Sequence, residues 1–401
     1  MVGASTALWA ALGTDFHQGL LHPLKDLTGK SILFAVTVLT TLAALEIGLR
    51  IFGEDIVGEP ITGNEYVFSR FDPELGWSNA SSVSGTLVRS EFSHQLRFNR
   101  YGMRGRDVSL TKPSGLSRIA VLGDSFAWGW GVEESELFTT IIEQKIPNTE
   151  VLNFAVPGYG PVQYYLQTDK VLSFNPDVVV IVFCLANDFS DNVYSEGYGH
   201  YRPFAHLDEK GEVVIDGYPI PNVKDPSNQF FGESLLRRVH DRLYLLRLLG
   251  RPLRQLTKYT SKLAMAKQKG PPGSVSEYDF FYRPDAPEVQ WVIRVNTKLL
   301  EKIVSAYHTR GVPIFVVAAP GKCELGDCFP DRPSDATRKA LALSLSGLPI
   351  TLIDPSPAFT LDDFWSKDPH WRASGHRKIA AALIPDLDRI LKQRHPMTRN
   401  E

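Results

Sequence analysis

The sequence predicts an α/β fold in which helices cover both faces of a parallel sheet. Short apolar runs rich in β-branched residues alternate along the chain with segments of helical periodicity. Residues 177–184, DVVVIVFC, are apolar almost throughout, which is typical of a strand buried on both faces. The 401-residue chain is 43% hydrophobic and 22% charged, as expected of a folded protein with a sizeable core. Strands separated by helices of this length are typical of a three-layer α/β/α arrangement.

The predicted elements follow one another regularly, with one interruption. Strands are predicted at 118–122, 150–155, 177–184, 312–317 and 350–353. Helices are predicted at 135–145, 160–173, 288–307, 334–346 and 373–391. The alternation stops between about 189 and 286, so we interpret this segment as an insertion in one domain that spans 117–395.

The insertion contains a predicted hairpin and a basic segment. Residues 206–218 alternate around Lys210-Gly211, as in a β-hairpin. Residues 235–269 are rich in leucine, arginine and lysine, and Pro252 should kink or split a helix there. Two interpretations remain open, a surface for anionic lipid head groups or an amphipathic helix with a solvated arginine face. We expect the second.

The N-terminal region carries one long apolar run. Residues 31–52 are consistent with a membrane anchor, a cleaved signal peptide or a buried helix. We expect an anchor, because the preceding 30 residues are long for a signal peptide and the run lacks a polar face. Lys25 and Lys30 precede it, which favours a cytoplasmic segment at 1–30 and a single-pass protein of the cytoplasmic membrane with its bulk outside. Residues 53–116 lack a long helical pattern and predict a β-rich cover.

Charge and cysteine content exclude several classes of protein. A formal net charge of -2 argues against a nucleic-acid partner. Three cysteines exclude a disulfide-rich scaffold and a four-cysteine metal site, and no metal or other cofactor is predicted. Cys184 is expected to be a buried thiol. Cys323 and Cys328 are expected to form a disulfide if this part of the chain is exported, and to be two loop thiols if it is not.

Residues suited to nucleophilic catalysis follow several of the predicted strands. Ser125 comes directly after the strand 118–122, and Gly158 and Asn187 lie on loops after the next two strands. Asp368 and His370 follow the last strand. A serine nucleophile needs a base, a group that orients the base, and donors for an oxyanion. These residues should all lie at the carboxyl edge of one sheet, where α/β proteins keep their binding sites.

The ordered blocks around these residues resemble the SGNH or GDSL hydrolase superfamily over 118–392, outside the insertion. Leu75-Gly76-Trp77 and the segment 98–105 resemble a bacterial subgroup with an N-terminal membrane segment. The resemblance implies a flavodoxin-like SGNH hydrolase fold. It also implies Ser125 as nucleophile, His370 as general base and acid, and Asp368 as the group that orients His370. The backbone N–H groups of Ser125 and Gly158, with the amide of Asn187, would form the oxyanion hole.

Two positions depart from the pattern of that superfamily. Its final block usually places an aspartate three residues before the histidine, where this chain has Lys367, whereas Asp368 lies two before. Pro369 restricts Asp368 to extended geometry, so another carboxylate, or none, remains an alternative partner of His370. Leu185 stands where the third block often has glycine.

Several other residues are candidates for a functional or a structural role. Trp128 and Trp130 are candidates for a substrate-binding wall that stacks on a sugar, and the alternative is that they pack the turn. His376 is expected to be structural. Asp188, Asp191 and Asn192 are expected to be polar loop residues and not metal ligands.

The leading hypothesis is a membrane-anchored acyl-ester hydrolase. It would act on small acyl groups, such as acetyl, on cell-envelope carbohydrate or lipid. The resemblance also includes O-acyltransferases that use the same triad, and a non-catalytic envelope binding protein is the third hypothesis. The predicted partners are a small acyl ester or an O-acylated glycan or lipid, and the membrane through residues 31–52.

Overall fold

The computed structural model describes residues 30–52, 68–198, 200–220, 243–246, 248, 275–328, 331 and 335–394. The chain divides into two compact units. One contains the apolar helix together with the described residues at 243–248, and the other contains the remaining described residues. Most of the predicted basic segment at 235–269 lies outside the described residues, as does the predicted segment 1–30 except for Lys30.

The first unit is built on helix α1, Lys30–Phe52. This helix has 23 residues and a mean hydropathy of 2.1, and none of its apolar window is buried. It is therefore long and apolar enough to cross a membrane, by length and composition alone. Near its carboxyl end, Glu46 accepts hydrogen bonds from the backbone N–H groups of Tyr244 (3.2 Å) and Leu245 (2.9 Å).

The second unit contains thirteen described strands and nine described helices. The strands are β1 (Ser69–Asp72), β2 (Gly76–Asn79), β3 (Ser84–Val88), β4 (Ser93–Arg97), β5 (Ser117–Leu122), β6 (Thr149–Asn153), β7 (Val178–Cys184), β8 (Glu196–Gly197), β9 (His200–Tyr201), β10 (Phe204–Leu207), β11 (Val213–Asp216), β12 (Ile314–Ala319) and β13 (Ile350–Ile353). The helices are α2 (Ser125–Trp128), α3 (Phe138–Lys145), α4 (Pro161–Leu166), α5 (Thr168–Ser173), α6 (Asp188–Asp191), α7 (Glu277–Tyr282), α8 (Pro287–His308), α9 (Ala336–Ser344) and α10 (Ala373–Arg394).

The central sheet has five parallel strands in the order β13-β12-β7-β5-β6. The chain runs outward from β5 to β6 and then crosses to β7, so the strand order reverses between β5 and β7. This is the flavodoxin-like order, and the point of reversal is where doubly wound sheets bind ligands at the carboxyl ends of their strands. The predicted fold class is confirmed by this topology.

Alternating residues of the central strands pack into two separate hydrophobic layers. Ala120, Val179 and Ile181 face the layer that includes α4 and α8. Val121 and Val180 face the opposite layer, which includes α3 and α10. Strands β5, β7 and β12 are buried along their whole length. Helices on both faces leave these strands no solvated side, which explains their continuous apolar sequence.

The segment before the central sheet forms two antiparallel hairpins, β1–β2 and β3–β4. Leu87 and Leu96 of the second hairpin are buried in the same hydrophobic layer as Trp128. The Phe98 and Trp128 rings lie 5.7 Å apart. This β-rich segment therefore shares its core with the turn that follows β5.

The described part of the predicted insertion is more ordered than a simple loop. It contains the hairpins β8–β9 and β10–β11 and the helix α7. The second hairpin turns at Lys210 and Gly211, where the alternation of the sequence places it. Ala205 of β10 donates a backbone hydrogen bond to Asn192 (2.7 Å), which ties this hairpin to the loop after β7.

Candidate active site

Ser125 is the first residue of α2, directly after β5. The turn requires glycine at 123, because a Cβ there would lie 2.4 Å from the Cβ of Ala127 and 3.2 Å from that of Val182. Asp124 precedes Ser125 as the N-cap, and its carboxylate accepts a hydrogen bond from the backbone N–H of Phe126 (2.9 Å). The local sequence therefore forms a sharp strand-to-helix turn with the serine at its apex.

The structure brings Ser125, His370 and Asp368 into one hydrogen-bonded line. Ser125 Oγ lies 2.7 Å from His370 Nε2. On the other side of the ring, His370 Nδ1 lies 2.6 Å from Asp368 Oδ1. Ser125 and His370 are 245 residues apart in sequence. The two distances are those of hydrogen bonds between a hydroxyl and an imidazole and between an imidazole and a carboxylate.

Asp368 is held by further donors besides the imidazole. The backbone N–H of His370 donates to Oδ1 (2.9 Å), and the indole N–H of Trp130 donates to Oδ2 (3.1 Å). Burial alone would raise the pKa of the Asp368 carboxyl, but the hydrogen bonds from His370 and Trp130 hold that pKa below its ordinary value. Asp368 is thus an ionised carboxylate with acceptor bonds on both oxygens.

Aromatic rings enclose the imidazole of His370. The Phe126 ring centroid lies 4.8 Å from it and the Trp130 ring centroid 5.6 Å from it. With these rings around it, the His370 side chain is 16% exposed and that of Asp368 is 20% exposed.

The two tryptophans considered as a substrate wall have different positions. Trp128 is only 3% exposed, its indole N–H donates to Asn79 (3.2 Å), and the Arg104 guanidinium lies over its ring. Of the two alternatives for Trp128, a substrate-stacking wall or packing of the turn, the burial of this side chain favours packing of the turn that carries Ser125. Trp130 is half-buried and is the donor to Asp368 described above.

Gly158 follows β6 in a left-handed conformation, with φ +78°. The loop is drawn to the Ser125 turn by a hydrogen bond from the backbone N–H of Val156 to Gly123 O (3.2 Å). A Cβ at position 158 would lie 2.7 Å from the ring of Tyr198 and 3.2 Å from that of Trp77. Glycine is therefore required here by both conformation and space.

Asn187 follows β7 and is the N-cap residue of α6. Its side-chain amide nitrogen donates to Asp191 Oδ2 (2.8 Å) and lies 3.4 Å from the hydroxyl of Tyr198. The Tyr198 ring also packs on Gly158, so one side chain connects the two loops from which oxyanion donors were predicted. Arg202 completes the cluster through an ion pair with Asp191 (2.9 Å).

Burial has strong electrostatic consequences beside the serine. It raises the pKa of the Asp124 carboxyl to about 6, against the opposing hydrogen bond from the Phe126 N–H. Burial likewise raises the pKa of Asp188, which accepts hydrogen bonds from the backbone N–H of Cys184 (2.9 Å) and the hydroxyl of Tyr164 (3.2 Å). Both acids are buried, one in the turn after β5 and the other in the loop after β7.

The polar residues after β7 are engaged with other protein groups. Asp191 binds Arg202 and Tyr198, and the Asn192 side chain contacts the Val162 N–H (2.9 Å) and Asn296 (2.7 Å).

His376 is buried, and burial lowers its pKa to about 3, so its imidazole is neutral. Its Nδ1 lies 3.5 Å from the backbone N–H of Phe138, at the contact between α3 and α10.

Sequence reasoning did not identify Glu91, Tyr198 or Arg202 as parts of this site. Glu91 lies in the turn between β3 and β4 and accepts hydrogen bonds from the loop that carries Asp368. It is separated from that loop by more than 270 residues, so no local spacing connects them. Tyr198 and Arg202 lie in the short β8–β9 region, where no regular pattern was recognisable.

Comparison with known proteins gives neighbours among solved structures only. No family model matches the chain, and no curated protein matches it. The structure titled TesA is 10% identical over 68% of this chain and 99% of its own, with a TM-score of 0.36. A member of the lipolytic G-D-S-L family from Veillonella parvula is 11% identical over 67% and 97%, with a TM-score of 0.34. A catalytic mutant of Axe2, an acetylxylan esterase from Geobacillus stearothermophilus, is 12% identical over 69% and 95%, with a TM-score of 0.36. Because the identities are at most 12% and the TM-scores at most 0.36, these neighbours do not support the assignment of an activity. Any such assignment has to rest on the side chains of the site.

Proposed function

We propose that the chain is a serine acyl-ester hydrolase of the SGNH or GDSL type. The observation that carries this proposal is the hydrogen-bonded line from Ser125 Oγ through His370 to Asp368, with distances of 2.7 and 2.6 Å. It stands at the carboxyl edge of a parallel sheet, beside the point where the strand order reverses.

In this mechanism His370 Nε2 takes the proton of the Ser125 hydroxyl as Oγ attacks the ester carbonyl. The resulting imidazolium is stabilised by Asp368, whose lowered pKa keeps it ionised. His370 then gives the proton to the departing alcohol, and the Ser125 oxygen keeps the acyl group. Water, deprotonated by His370, then attacks the acyl carbonyl, and His370 returns that proton to Ser125 Oγ as the bond to the acyl group breaks and the carboxylic acid leaves.

The oxyanion of each tetrahedral intermediate would be bound by the backbone N–H groups of Ser125 and Gly158 and by the amide of Asn187. The Asn187 nitrogen carries two hydrogens, and its bond to Asp191 fixes the direction of the amide. Loss of one such donor costs about 3–4 kcal/mol in the barrier. The acyl group that we propose is a small one, such as acetyl.

Two features support an anchored enzyme that faces the outside of the cytoplasmic membrane. Helix α1 is exposed and apolar over a length that can cross a bilayer. Cys323 and Cys328 form a disulfide, and disulfides persist in oxidising compartments. O-acylated carbohydrate or lipid of the cell envelope is the substrate class that fits this location.

Acyl transfer to a hydroxyl of a carbohydrate is the second candidate function. It is favoured by an open cavity of about 460 Å³ beside the loop of His370. The cavity is lined by charged groups of both signs, by aromatic rings and by a hydroxyl group, and its lining includes Glu91, Lys322, Asp327, Asp362, Trp365, Ser366 and Arg372. Groups of this kind can hydrogen-bond a hydroxyl-bearing acceptor, which would have to extend from this cavity to the acyl group on Ser125 and would replace water in the second half of the reaction.

The test uses the full-length chain in detergent with p-nitrophenyl acetate. We expect release of p-nitrophenol by the wild type, and a loss in kcat on the order of 10⁶, down to background, in Ser125→Ala. Ser135→Ala, at an exposed serine of the neighbouring turn, is the matched control and should keep full activity. Equal rates for wild type and Ser125→Ala would exclude both hydrolysis and transfer and leave a non-catalytic binding protein.

Hydrolysis and transfer are then separated with a glycan acceptor in the same assay. Faster acylation of the added glycan than hydrolysis of the donor would establish transfer as the main activity. Consumption of the donor at an unchanged rate without any acylated glycan would establish hydrolysis.

A further inference from the structure

The turn between β3 and β4 reaches the loop that carries the catalytic pair. We call residues 89–92 the hairpin turn. The carboxylate of Glu91 accepts hydrogen bonds from three successive backbone N–H groups, those of Ser366 (2.8 Å), Lys367 (2.7 Å) and Asp368 (2.8 Å). Three convergent donors on one carboxylate form a small anion-binding nest, which is filled here by a side chain of the same protein.

These bonds act directly on the geometry of the triad. One donor is the backbone N–H of Asp368, whose carboxylate lies 2.6 Å from His370 Nδ1. Burial would raise the pKa of the Glu91 carboxyl, but the three N–H groups hold it below the ordinary value, so the interaction is with a charged acceptor. Charge-assisted bonds on three adjacent residues leave the backbone at 366–368 little freedom to turn.

The hairpin turn touches the same loop through two further side chains. The Arg89 guanidinium lies 5.0 Å from the centroid of the Trp130 ring, and Trp130 donates to the second oxygen of Asp368. The Phe92 ring lies 5.2 Å from the Trp365 ring, and the backbone N–H of Trp365 donates to His370 O (3.1 Å). The two residues that the hairpin turn contacts in this way, Trp130 and Trp365, are hydrogen-bonded directly to Asp368 and to His370, respectively.

We propose that Glu91 is a positioning residue for the catalytic pair, which it holds by binding the backbone at Ser366, Lys367 and Asp368. This inference rests on the proposed esterase function. It implies that the β-rich segment before the sheet helps to position the residues of the site, in addition to packing against the domain. Lys322 Nζ also bonds to Ser366 O (2.8 Å), so the loop has a second anchor and should stay folded when Glu91 is changed.

The kinetic test compares Glu91→Gln with Glu133→Gln. Glu133 is a matched control because its carboxylate also accepts a backbone N–H of the β3–β4 hairpin, that of Gln95 (3.0 Å), without touching the loop at 366–370. We expect Glu91→Gln to lower kcat by about tenfold to a hundredfold with KM changed by less than about twofold, because a small displacement of a catalytic group has effects of this size. Glu91→Asp, which keeps the charge on a shorter side chain, should recover part of the loss.

A second measurement does not depend on activity. Amide hydrogen exchange at 366–368 should be at least about tenfold faster in Glu91→Gln than in the wild type, and unchanged in Glu133→Gln. If kcat and the exchange rates of Glu91→Gln both match the wild type, the positioning role is excluded. If wild type and Ser125→Ala hydrolyse the ester equally, the esterase function fails, and the exchange rates alone decide whether Glu91 holds the loop.

Discussion

Asp368 precedes His370 by two residues in the sequence, and the geometry explains how a carboxylate at this spacing reaches the imidazole. Oδ1 accepts the backbone N–H of His370 (2.9 Å), which closes a turn over Pro369 of the kind that aspartate side chains favour. The same oxygen lies 2.6 Å from His370 Nδ1. The carboxylate therefore orients the histidine backbone and the imidazole together, and Lys367 is not needed for either.

Replacement of Asp368 tests this assignment. Asp368→Asn should lower kcat by about 10⁴, because a neutral amide cannot stabilise the imidazolium and disturbs the tautomer of His370. Lys367→Ala is the matched control, since its side chain is exposed and the Glu91 contact at this position uses the backbone N–H. Both variants are compared by steady-state hydrolysis of p-nitrophenyl acetate. A larger loss in Lys367→Ala than in Asp368→Asn would contradict the assignment.

At the scale of secondary-structure elements, the two ends of strand β5 carry different kinds of residues, one for the site and one for stability. Its carboxyl end gives way to Ser125, and its amino end carries the buried Arg118, which lies opposite Glu150 of β6. The Arg118 side chain is 0% exposed and bonds to Glu150 and to the backbone oxygens of Leu110 (2.9 Å) and Ser109 (2.9 Å). This pair joins two strands of the sheet to the segment that leads into β5.

The Arg118 pair should be important for stability. Arg118→Ala would remove the buried partner of Glu150 and leave only the half-exposed Arg106, 3.7 Å away, so we expect the free energy of unfolding to fall by about 3–5 kcal/mol. Arg97→Ala, which removes an exposed ion pair with Glu134 in the same unit, should cost less than about 1 kcal/mol. Denaturant unfolding of the full-length variants in detergent measures both. Similar losses for the two variants would refute a special role for the buried pair.

The whole molecule combines an apolar helix with a unit that carries a disulfide. The S–S bond joins Cys323 and Cys328, whereas Cys184 is a buried free thiol at the end of β7. If the second unit lies outside the cytoplasmic membrane, this disulfide should be formed in the protein as isolated.

Counting thiols tests that expectation. Full-length protein taken directly from membranes and denatured without reductant should react at one thiol, that of Cys184, and at three after reduction. Cys184→Ser is the control and should show no reactive thiol before reduction. Three reactive thiols in the unreduced wild type would argue against export of this part of the chain.

The part of the fold that depends on local pattern could be predicted from the sequence. The five central strands and the β10–β11 hairpin follow from runs of apolar residues and from turn residues such as Gly211, whereas the β8–β9 hairpin was not predicted. The observed ends of the elements differ from the predicted ends by a few residues. The predicted helix at 160–173 is divided into two helices, α4 and α5, and we find no physical cause for this division in the sequence. The positions of Ser125 and His370 at one sheet edge were also predictable, because parallel strands end on the same side.

The sequence by itself determined the alternation of strands and helices, the apolar helix, and the order in which the serine, glycine, asparagine and histidine loops occur. Only the tertiary structure decided that Asp368 reaches His370, that Trp128 is buried beneath the turn, and that Glu91 accepts hydrogen bonds from the loop that carries Asp368. The physical reason is the separation along the sequence of the residues that interact. Apolar periodicity acts between near neighbours, whereas these contacts join residues far apart in the chain and depend on side-chain directions that packing alone fixes.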